Sequence, residues 1–138
     1  MTSTAKRSGR PSKAATVKSY EKLTKAAAKA PKKRVYICSP LKGNVERNMT
    51  RAKIYCRFAF DSGYVPICPH IYYPQFLDDG DKNERAAGMR YGLEDMHEAR
   101  EVWVFGERIS DGMRAEIELA KDLKIPVKYF DEDMEERS

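Results

Sequence analysis

Four short apolar runs, rich in β-branched and aromatic residues, predict four strands in this 138-residue chain. They are Arg34–Cys38, Tyr64–Cys68, Glu101–Phe105 and Ile125–Phe130. The third run reads EVWVF without polar alternation, which is typical of a strand buried on both faces of a parallel sheet. Pro66 interrupts the second run and predicts an edge strand, because proline cannot donate a hydrogen bond to a neighbouring strand.

Apolar residues recur at helical spacing in the segments between these strands, at 44–62, 82–99 and 110–123. The predicted inward residues are Val45, Met49, Ala52, Cys56 and Ala59, then Ala86, Met89, Leu93 and Met96, then Met113, Ile117 and Ala120. Strands that alternate with such helices favour right-handed crossovers. We therefore expect a Rossmann-like or flavodoxin-like α/β domain at 34–130, with a small parallel sheet flanked by helices. Its ligand is expected at the carboxyl ends of the strands.

The two ends of the chain differ from this domain in composition. Residues 1–34 hold eleven Lys or Arg against one acidic residue, which gives a net charge of +10, whereas the remainder carries −5. The scarcity of large apolar residues at 1–33 predicts a mostly disordered basic tail, in which 18–30 can form a short helix. The charged terminus at 131–138 is expected to fray.

The tail segment KRSGRPSK, residues 6–13, resembles an AT-hook, although Ser8 stands where an arginine usually precedes the glycine. Two interpretations stay open. The segment is either a solvated basic tail that aids solubility, or a contact for nucleic acid through its positive charge.

Several classes of protein are excluded by composition. No apolar run approaches the roughly 20 residues of a membrane span, and no apolar core of a secretory signal stands near the start. The three cysteines form no CxxC pair and only two histidines exist, so neither a disulfide framework nor a metal site is expected. We expect a cytoplasmic protein that needs no metal and no cofactor and makes no membrane contact.

The turn after the first strand, SPLKGN, offers a hydroxyl at Ser39, a cation at Lys42 and a permissive backbone at Gly43. Together with free backbone N–H groups, these residues suit a phosphate or a sugar hydroxyl. The alternative is an ordinary turn in which Asn44 caps the following helix.

The third strand end leads into a second candidate element. Ser110, Asp111 and Gly112 open a helix whose first amides are expected to face the same crevice as Lys42. Ser110, Gly112 and Met113 are the candidate binding residues of this element. Glu116 borders the apolar stripe of that helix, so its carboxylate is expected to be partly desolvated and functional. The alternative for Glu116 is an exposed helix residue that pairs with a neighbouring cation.

The second strand and its loop add aromatic and titratable groups. His70 ends that strand and is expected at the cleft, or else bonds the loop backbone. Tyr72 and Tyr73 can stack on a base or close the loop. His97 is expected to be a surface or packing residue, and Trp103 to be core.

The segments YICSPLKG, PH, VWVFG and SDGMRAEIELA, taken together, resemble the nucleoside 2-deoxyribosyltransferase superfamily over about 34–130. That superfamily includes the 2′-deoxynucleoside 5′-monophosphate N-glycosidases. The resemblance implies that Glu116 is the nucleophile, that Ser110 holds the sugar or its phosphate, and that Tyr36 lines the pocket. It also implies that Ser39, Lys42 and Gly43 bind the phosphate end.

A second acid of that superfamily falls on Glu94, with Asp95 adjacent, although Glu94 also fits a surface row of ion pairs. The chain departs from the superfamily pattern at two glycines, which are Arg114 and Glu118 here. The resemblance implies cleavage or transfer of the N-glycosidic bond of a (deoxy)nucleoside or nucleoside 5′-monophosphate. Because those two glycines are missing, binding of a nucleotide-derived signal without turnover stays open. A nucleic-acid-associated role for the basic tail also stays open.

Aromatic residues outside the predicted inward stripes indicate self-association. Tyr55, Phe58 and Phe60 in the first helix of the domain, and Tyr91 in the second, are expected to form an apolar patch on a monomer. Members of the resembled superfamily also complete their pockets with a neighbouring subunit. We therefore expect a homodimer or a higher homo-oligomer.

Overall fold

A computed structural model describes residues 13–29 and 33–138, and the chain divides into two compact units between Lys32 and Lys33. In the first unit the described part is one helix, α1 (Lys13–Lys29). It begins five residues earlier than the predicted helix at 18–30, because Lys13–Val17 contains good helix formers and no breaker. The disorder expected for 1–12 and most of the AT-hook-like segment lie outside the described residues.

The second unit contains a five-stranded sheet in the order β2-β1-β3-β4-β5. The strands are β1 (Lys33–Cys38), β2 (Tyr64–Ile67), β3 (Glu101–Phe105), β4 (Val127–Phe130) and β5 (Glu136–Arg137). The first four pair in parallel and β5 pairs antiparallel to β4. This sheet, flanked by helices, confirms the predicted α/β class. The proline-containing β2 lies at an edge, as expected.

Four helices follow the strands of this unit, and two single 3-10 turns extend them at 73–75 and 96–98. The helices are α2 (Val45–Asp61), α3 (Pro69–Tyr72), α4 (Lys82–Asp95) and α5 (Asp111–Asp122). Side-chain caps start three of them, since the Asn44, Asp81 and Ser110 oxygens accept hydrogen bonds from backbone N–H groups of the first turn. The short helix α3 lies in the segment that was expected to be a loop.

The sheet carries a core on each face, because alternate side chains of a strand point to opposite sides. The α5 face buries Tyr36, Cys38, Val102, Val104, Met113 and Ile117, and the α2 face buries Val35, Ile37, Tyr55, Trp103, Phe105 and Phe130. Successive residues at the carboxyl ends of β1 and β3 point to opposite faces of the sheet. Neighbouring residues of β1 at the candidate site therefore belong to different cores.

The predicted inward stripe of α4 is wrong in its first half. Ala86 and Met89 are exposed, Met89 by 56%, whereas Gly92 and Met96 are buried. Only the carboxyl half of the segment packs closely on the domain, where the absent side chain of Gly92 makes room for Pro69. In α2, Val45 is likewise exposed, because it lies in the first turn beyond the sheet.

The aromatic patch predicted on α2 is also wrong for two of its members. Tyr55 is buried and stacks on Phe105 with ring centroids 4.1 Å apart. Phe58 packs edge-on against Phe105 and Phe130. Because the large rings of β3 and β4 extend across the sheet to α2, these two aromatics serve the core of a single chain, and Phe60 alone of the three is exposed.

The charged carboxyl terminus does not fray as expected, since it folds back as β5. The turn between β4 and β5 is closed by Asp131, whose carboxylate accepts hydrogen bonds from the backbone N–H groups of Asp133 and Glu135. Met134, with φ of 66°, packs against the α2-face core. Local turn chemistry and one apolar anchor therefore order a segment that is otherwise strongly charged.

Candidate active site

A buried carboxylate lies where α5 crosses the carboxyl ends of the strands. Glu116 is 6% exposed, whereas Glu118, two positions further along the same helix, faces solvent. Ser39 and Glu116 are the buried polar or charged side chains among the described residues. A buried carboxylate is costly unless it is hydrogen-bonded, so its neighbours decide what it can do.

Two side chains of β1 contact this carboxylate from below. The Tyr36 hydroxyl donates a hydrogen bond to Glu116 Oε2, and Cys38 Sγ lies 3.6 Å from Oε1. The two residues stand two positions apart on one face of the strand. Burial raises the pKa of the Tyr36 hydroxyl well above its ordinary value, and the Glu116 charge raises it further. The same causes raise the pKa of the Cys38 thiol, so both groups keep their protons and act as donors.

His70 lies on the other side of the carboxylate, with Nε2 3.7 Å from Glu116 Oε1. The helix α3, which starts with Pro69, holds this imidazole at the end of β2, and its side chain is 17% exposed. Close packing fixes α3, because a Cβ at Gly92 would lie 3.1 Å from Pro69 Cβ and 3.7 Å from the Tyr36 hydroxyl. Glu116, Tyr36, Cys38 and His70 thus form one cluster, called here the Glu116 cluster.

The start of α5 presents the groups predicted from the third strand end. Ser110 Oγ accepts a hydrogen bond from the Met113 N–H at 3.2 Å, so it caps the helix. Met113 is buried and its carbonyl lies 3.8 Å from Cys38 Sγ, whereas Gly112 is exposed. The helix start and the Glu116 cluster are therefore joined through Cys38.

The turn after β1 divides the residues that were predicted to act together. Lys42 is exposed and Gly43 adopts φ of 98°, with Asn48 Nδ2 donating to the Lys42 carbonyl at 2.9 Å. Ser39, in contrast, follows the alternation of β1 onto the α2 face. It is 1% exposed and lines a cavity with Arg47 and Arg51.

The predicted second acid does not join the Glu116 cluster. Glu94 is exposed on α4, whereas the carboxylate of Asp95 accepts a hydrogen bond of 2.7 Å from the Tyr73 hydroxyl. That hydrogen bond raises the pKa of Tyr73 to about 12. Tyr72 is 61% exposed with its ring edge against Tyr73, so this residue is available at the rim of the loop.

Residues 33–130 match the family described as Domain of unknown function (DUF7768). The chain belongs to the DUF7768 family. No curated protein matches this DUF7768 chain. Among solved structures, it is similar to a 2-deoxyribosyltransferase from the psychrotolerant bacterium Bacillus psychrosaccharolyticus. The two chains are 21% identical, the TM-score is 0.56, and the match covers 71% of this chain and 72% of that one. The likeness shows that the two chains share a fold.

Two residues of the candidate site were not predicted from the sequence. Cys38 contacts Glu116, and its place two positions after Tyr36 on one strand is a signal that could have found it. Gly92 lies inside a helix where glycine is unfavourable, which points to a close approach of another segment.

The described residues contain neither a metal-binding cluster nor a membrane-spanning helix. Within 13–29 and 33–138, no group of three or more His, Cys, Asp or Glu side chains could hold a metal ion. In the same part of the chain, no helix is long and apolar enough to cross a membrane.

Proposed function

We propose that this protein cleaves or transfers the N-glycosidic bond of a nucleoside or nucleoside 5′-monophosphate, with Glu116 as the nucleophile. The observation that carries the proposal is the buried Glu116 carboxylate, which accepts hydrogen bonds from Tyr36 and Cys38 and has His70 beside it. A carboxylate so oriented, at the carboxyl ends of parallel strands, lies where ligands of this sheet type bind. The fold similarity to a 2-deoxyribosyltransferase supports the same reaction class.

The chemistry follows from the charge that develops on the sugar. As the bond between C1′ and the base nitrogen breaks, its electron pair leaves with the base and the sugar acquires oxocarbenium character. A Glu116 oxygen then forms a bond to C1′, which gives a glycosyl-enzyme intermediate. Attack of water on C1′ breaks the bond between C1′ and the Glu116 oxygen and gives hydrolysis, and attack by a ring nitrogen of a second base breaks the same bond and gives transfer. In both cases the attacking group passes its proton to the residue that protonated the departing base.

His70 is the residue proposed to hold the proton that the departing base needs. Its Nε2 lies 3.7 Å from Glu116 Oε1, so the imidazole and the nucleophile reach the same small volume. Tyr36 orients the carboxylate, because its hydroxyl stays protonated and donates a hydrogen bond to Oε2. Glu94, predicted as the second acid, is exposed, so we place the acid role on His70 first.

The rest of the substrate is proposed to contact the flanking segments. The amides at the start of α5, with Ser110, Gly112 and Met113, suit a sugar oxygen or phosphate. Lys42 and Gly43 lie on the neighbouring turn, and Tyr72 offers an exposed ring at the rim for a base.

Self-association also stays a proposal, and its support in the structure is now the exposed side chains of Phe60 and Tyr91.

The test measures, by chromatography, the release of free base from deoxynucleosides and their 5′-monophosphates. Wild-type protein is expected to release base, and Glu116→Gln to lose at least about a thousandfold in rate, which is about 4 kcal/mol of transition-state stabilisation. Glu118→Gln removes the same charge from the solvent face of the same helix and is expected to keep full activity. Equal rates for the two variants would refute the nucleophile.

Binding without turnover is the second candidate, because Arg114 and Glu118 replace the two glycines of the superfamily pattern. Both residues are exposed on α5, so the added bulk lies on the solvent side of the helix, and this candidate ranks below catalysis. Calorimetric binding of a deoxynucleoside monophosphate, with no base released or exchanged by wild-type protein even when a second base is supplied, would favour this candidate over catalysis.

A further inference from the structure

A cavity lined by arginines lies at the carboxyl ends of β1 and β3, on the face of the sheet opposite the Glu116 cluster. Its charged walls come from α2, with Arg47 and Arg51, and from the segment after β3, with Arg108. Ser39 and the buried Tyr55 also line the cavity. The position coincides with the point where strand order reverses between β1 and β3, which is where sheets of this class bind ligands.

Arg51 is held in place before any ligand arrives. Its Nε lies 3.4 Å from the Tyr55 hydroxyl, and its guanidinium carbon lies 5.1 Å from the centre of the same ring. Nη2 donates to the backbone carbonyl of Glu132. A guanidinium fixed by stacking and by a carbonyl loses little entropy when it binds an anion through its remaining N–H groups.

The other two arginines, Arg47 and Arg108, have guanidinium N–H groups that are available to a ligand. Arg47 Nη2 lies 3.7 Å from Glu132 Oε1, with both side chains more than half exposed, so this ion pair is weak and displaceable. Arg108 is exposed and makes no hydrogen bond or ion pair within the described part of the chain. The carboxylates of Glu107 and Glu132 also line the cavity, which leaves one net positive charge among the five groups.

A buried hydroxyl without a partner marks the same place. Ser39 is 1% exposed, and its Oγ has no hydrogen-bond partner in the structure. Buried polar groups are nearly always paired, so an orphaned hydroxyl in the wall of a cavity points to a ligand that pairs with it. Sequence reasoning assigned Ser39 to a phosphate, but with Lys42 rather than with these arginines.

We infer that this cavity binds the phosphate group of a monoester or inorganic phosphate, through the guanidinium groups of Arg47, Arg51 and Arg108 and the Ser39 hydroxyl. Arginine is the side chain best matched to tetrahedral oxyanions, because its N–H groups form a planar fork. The Glu132 carboxylate, which lines the cavity and lies 3.7 Å from Arg47 Nη2, competes with a bound anion for that guanidinium. The phosphate can be that of the nucleotide substrate or belong to a separate molecule, and the site exists whether or not Glu116 is catalytic.

The experiment is titration of the full chain with inorganic phosphate by calorimetry at constant ionic strength. Arg51→Gln and Arg108→Gln are each expected to weaken binding by about tenfold, the usual effect of one charge-assisted contact. Arg57→Gln is the matched control, since Arg57 lies on the same helix but pairs with Asp61 outside the cavity. Because Arg108 has no partner to lose, its variant keeps the test valid even if Arg51→Gln is unstable.

A second pair of variants tests the competing carboxylate. Glu132→Gln is expected to tighten phosphate binding by several-fold, whereas Glu135→Gln, the same change in the same turn, is expected to leave it unchanged. Glu116→Gln should bind phosphate like wild-type protein, so failure of the proposed catalysis and failure of this site give different results. No phosphate binding by wild-type protein, or equal losses in the Arg57 and Arg108 variants, would overturn the inference.

The source of the phosphate is decided by turnover. If the group belongs to the substrate, Arg108→Gln raises KM for a deoxynucleoside monophosphate while the matching nucleoside is unaffected, and inorganic phosphate competes with the monophosphate. If it belongs to a separate molecule, phosphate binds without competing. Either result supports the site, and unchanged phosphate affinity in both arginine variants refutes it.

Discussion

The hydrogen bond between Tyr36 and Glu116 gives the sharpest prediction for stability. Tyr36→Phe keeps the buried ring and deletes the donor, so Glu116 Oε2 loses its partner in a site that is 6% exposed. The remaining neighbours are the Cys38 thiol at 3.6 Å, a weak donor, and His70 at 3.7 Å, both on the other oxygen. Leaving a buried carboxylate oxygen unpaired costs about 1–3 kcal/mol.

The assay is unfolding in urea, monitored by the fluorescence of the tryptophan. With a slope of about 2 kcal/mol per molar, a loss near 2 kcal/mol lowers the midpoint by about 1 M at an unchanged slope. Tyr64→Phe is the matched control, because it deletes a hydroxyl donor to Glu101 Oε2, and the Glu101 side chain is 19% exposed, so water can replace the lost donor. Glu101 Oε1 also keeps Trp103 Nε1 at 2.9 Å and Lys128 Nζ at 3.4 Å. We expect that control to lose less than about 1 kcal/mol. Equal midpoints for Tyr36→Phe and wild type would refute the reasoning.

Three further predictions concern packing, thiols and a tyrosine. Gly92→Ala is expected to destabilise the fold, since its Cβ would lie 3.1 Å from a proline ring, whereas Gly88→Ala, facing a flexible leucine end, is expected to raise the unfolding free energy by up to about 1 kcal/mol. Alkylation at pH 8, read by peptide mass, should modify Cys56 first, because a neighbouring thiol lowers its pKa, and Cys38 last; the reverse order would contradict the site. Ultraviolet titration should place ionisation of Tyr73 at about pH 12, so its contribution to stability is present below about pH 10 and is lost as the pH rises to 12; ionisation near 10 would contradict this.

Periodicity was enough to predict the four parallel strands and the larger helices of the domain, but not the antiparallel strand β5. EVWVF became the buried central strand β3, and the stripe of Met113, Ile117 and Ala120 became the inward face of α5. The same stripe placed Glu116 at its border, where the structure buries it. These predictions succeed because alternation and helical spacing depend on local sequence alone.

Contacts between distant segments could not be predicted in the same way. Tyr55 was expected on the surface because its burial depends on Phe105, fifty positions away. Ser39 was expected to bind a ligand together with Lys42, because both follow β1. In the structure, strand alternation directs the Ser39 side chain to the face of the sheet opposite the Glu116 cluster, where it lines the arginine cavity. The order of the carboxyl terminus depends on a turn closed by Asp131, which charge composition hides.

The central claim is that Glu116 forms a bond to the sugar, and the most direct test is to look for that bond. Wild-type protein mixed with a deoxynucleoside or its monophosphate would be quenched in acid during turnover, digested and analysed by mass spectrometry. We predict an added glycosyl mass on the peptide that contains Glu116, absent from the Glu116→Gln variant and present in Glu118→Gln. Release of base by Glu116→Gln at the wild-type rate, or a glycosyl adduct on another residue, would contradict the account.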